Sequence, residues 1–573
     1  MTNASAPVTP QQESPQEKGE QKGSGLRLWL PICVLAFAQF VMVLDSTVMA
    51  VSISAVVKDL GTTVSKMQLA IACFSLVMAA FMLAGAGLGN RLGRKRAFVI
   101  GLVVYACGSF TTAIAPTFTA LFIGWSVLEG LGAVLVIPAI AALTAANYSG
   151  KQRALAFGII GGISGAAAAA GPVIGGWVTS AYSWRYIFAS EVVICLVVVA
   201  LSRFIKEGER PTVGKGFDFL GVALSALGFG LIVISIVQAG IWGWVMPREA
   251  PFAVLGFAPT IPMVVLGIFV VWIFLTSQAS LKERGGTPLL DPELLRIPSL
   301  AGGLATLGVQ QFVIAGLFFV LPLYLQYVLG LDALESGLRI LPLSIALLIA
   351  SFLGAALSSR FSARRLVRVG LSITIIGVVF CIAAVDVHLR SNLFGLAMAI
   401  TGAGIGIVAS QLGNVTQSSV KVTRSNEVGG LQGTAQNLGA SLGTALIGAI
   451  LLSGLNSAFV RTVGANPKVE PQTKVAVETA SKQGVAFVSE DQARNAAEAS
   501  GLPSSEVDAV VGDYVTAQID GLKAALGALG MLGLLGFAAS RRIQNHPLAG
   551  DEADETDETD ETDELENEEI VKN

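Results

Sequence analysis

Long apolar segments recur along almost the whole chain and set the main constraint on its fold. A helix that spans a lipid bilayer needs about 20 predominantly apolar residues. Only 13% of the residues are charged and 53% are hydrophobic, a balance that soluble domains do not keep over such a length. The sequence therefore predicts an all-α membrane protein with about fourteen transmembrane helices, at residues 28–57, 67–89, 97–115, 118–146, 155–180, 184–205, 217–243, 252–277, 300–328, 336–359, 366–385, 391–416, 428–456 and 520–540.

A basic segment occurs twice in similar form. Residues 85–102 read GAGLGNRLGRKRAFVIGL, and residues 356–371 read ALSSRFSARRLVRVGL. In this register Arg91 aligns with Arg360, and Lys95 aligns with Arg364. A repeat of this kind in an apolar chain indicates a transporter built from two related halves with its site between them. The alternative is that both segments are ordinary basic loops.

The repeat and the loop charges predict the domain plan and the orientation. Each basic segment follows the second helix of a six-helix half, which leaves two extra helices between the halves. An even number of helices, with the cations concentrated in alternate loops, predicts that both termini are cytoplasmic. The expected regions are a disordered cytoplasmic tail (1–26), an N-terminal half (27–206), two linker helices (207–298), a C-terminal half (299–542) with an extracytoplasmic hairpin (457–519), and a disordered acidic cytoplasmic tail (543–573).

The expected hairpin contains two segments of helix-forming composition, 489–500 and 504–518. Gly501 and Pro503 should break the helix between them. Two roles fit this region: a passive cap over the outer mouth of the transporter, or a lid or partner contact.

Asp45 is the sharpest candidate for chemistry because it lies inside the first apolar segment. An ionisable group at that depth is costly and should face a cavity or a partner. A carboxyl group in a low-dielectric environment holds a proton more readily than in water, so Asp45 could take and release protons near neutral pH. The alternative is an aspartate near the outer helix end that bonds only to backbone.

Two further acids lie in apolar segments. Glu129 is flanked by Gly130 and Gly132, which allow close helix packing, and no cation lies in its own segment. It is a second proton-site candidate, or a hydrogen-bonding residue between helices. Glu191 is a third candidate, and it could instead pair with Arg185 near the end of its helix.

Small and polar residues mark further candidate positions. Residues 161–176, GGISGAAAAAGPVIGG, form a small-residue seam that Gly171 and Pro172 should kink. Amide side chains in the later helices could line an otherwise apolar cavity, or could bond between helices: Gln310, Gln311, Gln326, Gln411 and Asn414.

Several function classes are disfavoured. No phosphate-binding sequence of the type GxxxxGKS or GxxxxGKT occurs, so an ATP-driven pump within this chain is not expected. The net charge of −3 provides no positive electrostatic field that would attract nucleic acid. No nucleophile–base set or metal-ligand cluster is evident, so we expect no enzyme activity, no cofactor and no metal.

Five segments together resemble the major facilitator superfamily, and within it the fourteen-helix drug:proton antiporter group. The segments are LDSTVMAVSISAV (44–56), GLGNRLGRKR (87–96), LEGLGAVLVIPA (128–139), GPVIGGWVTSAYSWRYIF (171–188) and LPLYLQYVLG (321–330). The resemblance extends over nearly all of residues 28–542.

The resemblance implies roles for individual residues. Asp45 would be a protonatable or cation-recognising carboxylate. A cytoplasmic gate would include Asn90, Arg91, Gly93, Arg94 and Lys95. A hinge and seam against the second half would include Gly171, Pro172, Gly175 and Gly176.

The chain departs from the pattern of this family at three positions. The arginine usual in the fourth helix is Ser126, the glutamine usual before the first glycine is Glu129, and the aspartate usual in the loop is Asn90. The first two changes remove a positive partner and add an acid, so Asp45 or Glu129 should hold a proton more tightly. Ser126 joins the candidate cavity-lining positions.

The combined prediction is a plasma- or inner-membrane exporter, monomeric, that works by alternating access and exchanges protons for amphipathic drugs or toxic compounds, cationic ones among them. One alternative is export of an endogenous lipid, peptide or secondary metabolite. A lipid exporter should show a lateral opening between helices, whereas a drug pump should show a closed pocket that bears a carboxylate. A remote alternative is a membrane sensor or scaffold that transports nothing.

Overall fold

The computed structural model describes residues 25–148, 150–207, 217–247, 250–420, 425–482 and 484–543. The two expected disordered tails, 1–26 and 543–573, lie almost wholly outside these ranges.

Within the described ranges, fourteen helices are long and apolar enough to cross a membrane, as predicted. They are α1 (Gly25–Asp59), α2 (Val64–Leu92), α3 (Arg94–Ala113), α4 (Phe118–Asn147), α5 (Gly150–Ala181), α6 (Arg185–Leu201), α7 (Phe219–Trp242), α8 (Thr260–Glu283), α9 (Pro298–Val328), α10 (Ala333–Leu357), α11 (Ala363–Ala384), α12 (Ser391–Gln417), α13 (Ser425–Ala465) and α16 (Ser504–Ser540). Two short helices, α14 (Pro471–Ser481) and α15 (Glu490–Ala499), lie between α13 and α16.

The long helices form two groups of six with α7 and α8 beside them. The first group is α1–α6, and the second is α9–α13 with α16. The two groups touch along two seams, where α5 packs on α10 and α2 packs on α13. The paired helices α7 and α8 cover the second seam, because α7 contacts both α2 and α13. This is the predicted arrangement of two halves with two extra helices.

The short helices identify the two ends of the bundle. Residues 466–482 and 484–503, which we call the insert, lie at one end together with the α1–α2 and α9–α10 connections. The two basic segments lie at the opposite end, which we call the basic end, each between the second and third helix of its half.

The two basic segments make equivalent contacts in the two halves. Lys95 Nζ donates to the carbonyl oxygen of Ile205, just beyond α6, at 2.9 Å. Its repeat partner Arg364 donates through Nε to the carbonyl oxygen of Ile543, just beyond α16, at 2.7 Å. Cations are favourable near unpaired helix C-terminal carbonyl groups. Each half therefore uses the same basic position to hold the end of its own sixth helix.

Helix α16 differs most from its predicted bounds. It begins at Ser504, well before the apolar run that starts at residue 520, so residues 504–518 belong to this long helix. The predicted break before it is present, with Gly501 in a left-handed conformation and Pro503 as the N-cap. Helix α13 likewise continues to Ala465, beyond the predicted end at residue 456. Both helices extend past their apolar parts because they pack against each other at the insert.

The insert is tied to the second half by an extended segment between α14 and α15. Phe487 in this segment is buried and packs edge-on against Tyr327 at the end of α9. The Tyr514 hydroxyl of α16 donates to the carbonyl oxygen of Ala486 at 2.7 Å, and Gln518 donates to that of Val488 at 2.8 Å. The insert therefore belongs structurally to the second half.

Candidate functional site

Three acidic side chains from different helices converge inside the first half. Asp45 of α1, Glu129 of α4 and Glu191 of α6 each place one carboxylate oxygen within 4.8 Å of the others. All three residues are at most 1% exposed. We call this group the carboxyl cluster.

Few hydrogen-bond donors contact the carboxylate oxygens of the cluster. Trp125 Nε1 donates to both Asp45 oxygens, at 3.0 and 3.1 Å. Ser109 donates to Glu191 at 3.2 Å, and the Thr112 hydroxyl lies 3.3 Å from Glu129 Oε1 while also bonding to the carbonyl oxygen of its own helix at residue 108. The second oxygens of both glutamates have no hydrogen-bond partner among the described residues.

Helices α3 and α4 approach closely enough to bring Glu129 into the cluster. A Cβ atom at Gly108 would lie 2.7 Å from Glu129 Cγ and 2.6 Å from the carbonyl oxygen of Gly124. Residues Phe122–Glu129 form a π-helical stretch of α4. Such stretches are frequent at functional sites, and this one contains both Trp125 and Glu129.

No lysine, arginine or histidine in the described parts of the chain forms an ion pair with the cluster. Ser126, which stands where the related proteins would have arginine, donates to the carbonyl oxygen of Ala70 at 2.8 Å. The alternative pairing of Glu191 with Arg185 is absent, because Arg185 binds Asp59 at 2.6 Å. Asp45 likewise bonds to an indole rather than only to backbone.

Sequence reasoning missed the residues that surround the acids. Tyr105, Ser109 and Thr112 lie three or four residues apart on α3, the spacing that puts side chains on one helix face. Tyr105 is buried, and its hydroxyl has no partner among the described residues. This polar face on an otherwise apolar helix could have indicated these residues from the sequence. It does not indicate which acidic side chains the face contacts.

The arrangement limits the chemistry of the cluster. Like charges this close repel strongly in a low-dielectric interior, and the site holds no fixed positive charge to offset them. The oxygens can accept protons. They could also ligate a hard cation, whose bonds to oxygen are about 2.0–2.6 Å long. Either ligand would neutralise the cluster.

The predicted gate residues lie at the basic end and do not meet the cluster. Gly93 has φ of +98° and separates α2 from α3. Lys95 binds near the end of α6 as described, Arg91 lies over the Phe217 ring at 5.7 Å, and Arg94 is partly buried. Asn90 precedes them near the end of α2.

The predicted hinge residues face two different helices. Gly171 and Gly175 allow α1 to approach, because a Cβ atom there would lie 1.8 Å from Thr47 Oγ1 and 2.8 Å from Val48 Cγ2. Gly176 contacts the second half, where its Cβ would lie 2.4 Å from the carbonyl oxygen of Ala333. The carbonyl oxygen of Pro172 similarly packs on α10, and α5 continues as a helix through this proline.

The α5–α10 seam is close at the insert end and loose toward the basic end. Besides the contact at Gly176, the Ser180 hydroxyl accepts from the amide of Leu334 at 3.2 Å. Nearer the basic end, a Cβ atom added at Gly158, Gly161 or Gly162 would meet nothing within 4 Å. On this side the halves are in contact from Gly176 to Gly165, whose Cβ would lie 2.8 Å from Leu348 Cδ1 of α10, and the glycines beyond leave open space.

Three of the five predicted cavity-lining amides make specific hydrogen bonds. Gln310 and Gln411 bond to backbone within the second half, to the carbonyl oxygens of Ile405 at 3.0 Å and Gly354 at 2.9 Å. Gln326 crosses between the halves: it donates to the carbonyl oxygen of Val51 at 2.9 Å and accepts from Ser54. Gln311 is partly buried on α9, and Asn414 is exposed on α12.

A separate apolar cavity of about 550 Å³ lies between α2, α7, α8, α9, α13 and α16. No carboxylate is among the described residues that line it, and the three acids of the carboxyl cluster are buried away from it. The structure therefore does not match the closed, carboxylate-bearing pocket expected of a drug pump, since the acids are enclosed and the cavity is apolar.

Two six-helix halves joined by membrane-spanning helices, with an acidic site enclosed in one half, define a multi-pass membrane transporter. The chain belongs to the Major Facilitator Superfamily, whose family model matches residues 35–220 and 216–444. This is a family of transporters and not of enzymes.

The relatives are exporters and resistance proteins. The chain is 27% identical to the tetracenomycin C resistance and export protein of Streptomyces glaucescens, over 82% of this chain and 86% of that protein. It is 30% identical to a probable actinorhodin transporter of Streptomyces coelicolor, over 76% and 75%. It is 27% identical to the multidrug efflux pump LfrA of Mycolicibacterium smegmatis, over 79% and 86%. The resemblance to the drug-exporting part of the family is thereby confirmed.

Solved structures share the fold at low sequence identity. A bacterial homologue of the human lysosomal transporter Spinster, in an inward-facing and unoccupied conformation, matches with a TM-score of 0.57 and 16% identity over 91% of this chain and 98% of that one. A D-xylose–proton symporter matches with a TM-score of 0.52 and 14% identity over 74% and 90%.

Proposed function

We propose that the protein is a proton-coupled antiporter that exports amphipathic compounds by alternating access, with the carboxyl cluster as its proton site. One observation carries the proposal: three buried carboxyl groups share one enclosed site with no cationic partner among the described residues. Buried ionisable groups in membrane proteins mark ion pathways and proton relays.

Simple electrostatics supports proton binding in the enclosed state. Two ionised carboxylates 4.8 Å apart repel by about 3.5 kcal/mol at an effective dielectric constant of about 20. Three such charges would repel pairwise. Trp125 and Ser109 donate to them, while the Thr112 hydroxyl near Glu129 also bonds to the carbonyl oxygen of residue 108. The cluster is therefore enclosed when its carboxyl groups are protonated. Their ionisation favours a conformation in which water reaches the carboxylates.

Coupling between protons and substrate is then indirect. The cluster connects α1, α3, α4 and α6, so its protonation state alters how these helices pack. The same α1 also packs on α5, which forms one seam between the halves. Substrate need not touch the acids. Rocking of the halves at the α5–α10 seam transmits the change, with Gly176 as the close contact.

The direction and substrate class follow the relatives. Proteins named for tetracenomycin C export and multidrug efflux carry bulky organic compounds outward. We propose the same for this chain, acting as a monomer in the cell membrane, with the basic end and both termini in the cytoplasm. Positive loops at the basic end agree with the positive-inside rule. Export of an endogenous metabolite or lipid is a second candidate, and the apolar cavity favours it.

Transport into liposomes with an imposed pH gradient tests the proposal. The native protein should move ethidium only when the gradient is present, and Asp45→Asn and Glu129→Gln should each abolish gradient-driven transport. Glu498→Gln is a control, because this exposed side chain lies on the insert. If both cluster variants transported like the native protein, the proton-site assignment would be wrong. If a sodium gradient alone drove transport, the coupling ion would be Na⁺ rather than the proton.

A further inference from the structure

The apolar cavity beside the α2–α13 seam is a feature that the proposed transport cycle does not use. Its walls come from both halves and from the two extra helices, with Ala79 and Leu83 on α2, Phe229 on α7, Phe274 on α8, and Leu304 and Ala305 on α9. Without α7 and α8 this space would be open bilayer. Its volume of about 550 Å³ falls within the range of ligand pockets, about 300–1,000 Å³.

The cavity offers almost nothing to a polar or charged ligand. Ser225 and Thr434 are the only lining side chains with a hydroxyl group. Ser225 already donates to backbone, at 3.2 Å to the carbonyl oxygen of Ala80. No acid, base or amide is among the described residues that line the space, so nothing described there would neutralise a cationic compound. The walls match a hydrocarbon chain.

The cavity is open toward the bilayer rather than sealed. Leu535 of α16 lines it and is 56% exposed, and Ala305 in the first third of α9 is also exposed. All of its walls, apart from the α8–α9 connection, are membrane-spanning helices. The hydrocarbon that surrounds these helices is lipid, so an acyl chain has direct access to the cavity.

The α8–α9 connection places one exposed arginine beside the cavity. Leu290 and Leu295 of this connection line the cavity, and Arg296 follows directly. Arg296 is exposed and forms no ion pair with any described residue, in contrast to Lys282, which binds Asp291 and Glu293 at 2.9 and 2.5 Å. Arginine suits phosphate recognition, because its planar guanidinium group presents paired donors.

We propose that this cavity is a binding site for an anionic phospholipid, with an acyl chain between α8, α9 and α13 and the headgroup phosphate at Arg296. The basic end provides the charge and the extra helices provide the apolar wall. The ligand would contact both halves and the linker helices at once. The site is separate from the carboxyl cluster and does not depend on the transport proposal.

Photolabelling in lipid nanodiscs tests the site. The full chain is reconstituted with phosphatidylglycerol, or with phosphatidylcholine, that carries a diazirine on its acyl chain, and labelled peptides are mapped. We expect phosphatidylglycerol to label the wall peptides of α8, α9 and α13 several-fold more than phosphatidylcholine does. Ala305→Phe, which fills the cavity, should remove most of this labelling. Arg296→Gln should abolish the preference for the anionic lipid.

Matched variants make the outcome decisive. Ala200→Phe places the same ring at an exposed position on α6 that does not line the cavity, and it should leave the labelling unchanged. Arg296 is exposed, so Arg296→Gln requires no repacking of the protein interior. This variant still tests the site if Ala305→Phe fails to fold. Equal labelling of Ala305→Phe and Ala200→Phe would overturn the site. Equal labelling by both lipids in the native protein would overturn the headgroup assignment. Displacement of the photolipid by ethidium, with no effect of Arg296→Gln, would show a substrate-access pocket and also overturn the proposal.

Discussion

The hydrogen bonds of Gln326 join the two halves at the insert end, so under the proposed alternating access they should favour the state in which this end is closed. This side chain lies at the insert end of α9 and makes two hydrogen bonds to the first half, to Val51 and Ser54. Hydrogen bonds between membrane helices contribute about 0.6 kcal/mol on average and up to about 1.7 kcal/mol. Replacement by leucine therefore removes about 1–3 kcal/mol from the state in which the insert end is closed.

That free energy corresponds to roughly a 5- to 150-fold change in the equilibrium between closed and open insert ends. Spin labels in the connections 60–63 and 329–332, placed in a variant without the five natural cysteines, report the distance across this end. Gln326→Leu should shift the distance distribution toward longer values in detergent and in nanodiscs.

Gln310→Leu is the matched control. Gln310 is buried on the same helix and also bonds to a backbone carbonyl oxygen, but its partner, Ile405, belongs to the same half. This variant should lower thermal stability without changing the distance distribution. If both variants gave the native distribution, or if both shifted it equally, the closed end would not depend on bonds between the halves, and the reasoning would fail.

Further predictions concern the seam, the basic end and the insert. Gly176→Ala should reduce transport several-fold in the liposome assay, since its Cβ would lie 2.4 Å from a carbonyl oxygen of α10, whereas Gly158→Ala, which meets nothing within 4 Å, should transport normally. Arg364→Gln should lower the free energy of unfolding by about 1 kcal/mol through loss of its backbone bonds at the end of α16, while the exposed Arg365→Gln should not; thermal melts compare them. Phe487→Ala should destabilise the packing of the insert by about 3–5 kcal/mol, measured as faster proteolysis between α14 and α15.

The sequence was sufficient to predict the helices and their arrangement in two halves, because these depend on local hydropathy and on a repeated motif. Helix ends were less predictable where polar helices pack on one another outside the apolar zone. Residues 504–518 read as a separate helix by composition, yet they continue α16 because α13 extends beside them. Hydropathy does not indicate whether a transmembrane helix continues as a helix beyond the membrane.

Each acid of the carboxyl cluster could be found as an unusual residue in an apolar segment, but their convergence could not. Asp45, Glu129 and Glu191 are far apart in sequence, and their meeting depends on the close approach of α3 to α4 at Gly108. The π-helical stretch that ends at Glu129 has no signature in composition. A π-helical turn contains one more residue than an α-helical turn, so it changes which of the following side chains face inward. Only the packed structure shows which side chains these are.

Position 126 carries a serine, which provides no fixed positive charge to the carboxyl cluster. With an arginine there, a fixed charge would be available to an acid in the helix core; Ser126 instead satisfies a carbonyl group on α2. Trp125 supplies one neutral donor to Asp45, which orients this carboxyl group without cancelling its charge. Apolar residues of similar volume would pack such a core at least as well as three acids. Three buried acids without a cationic partner among the described residues therefore support the proposed role of the cluster as a proton site.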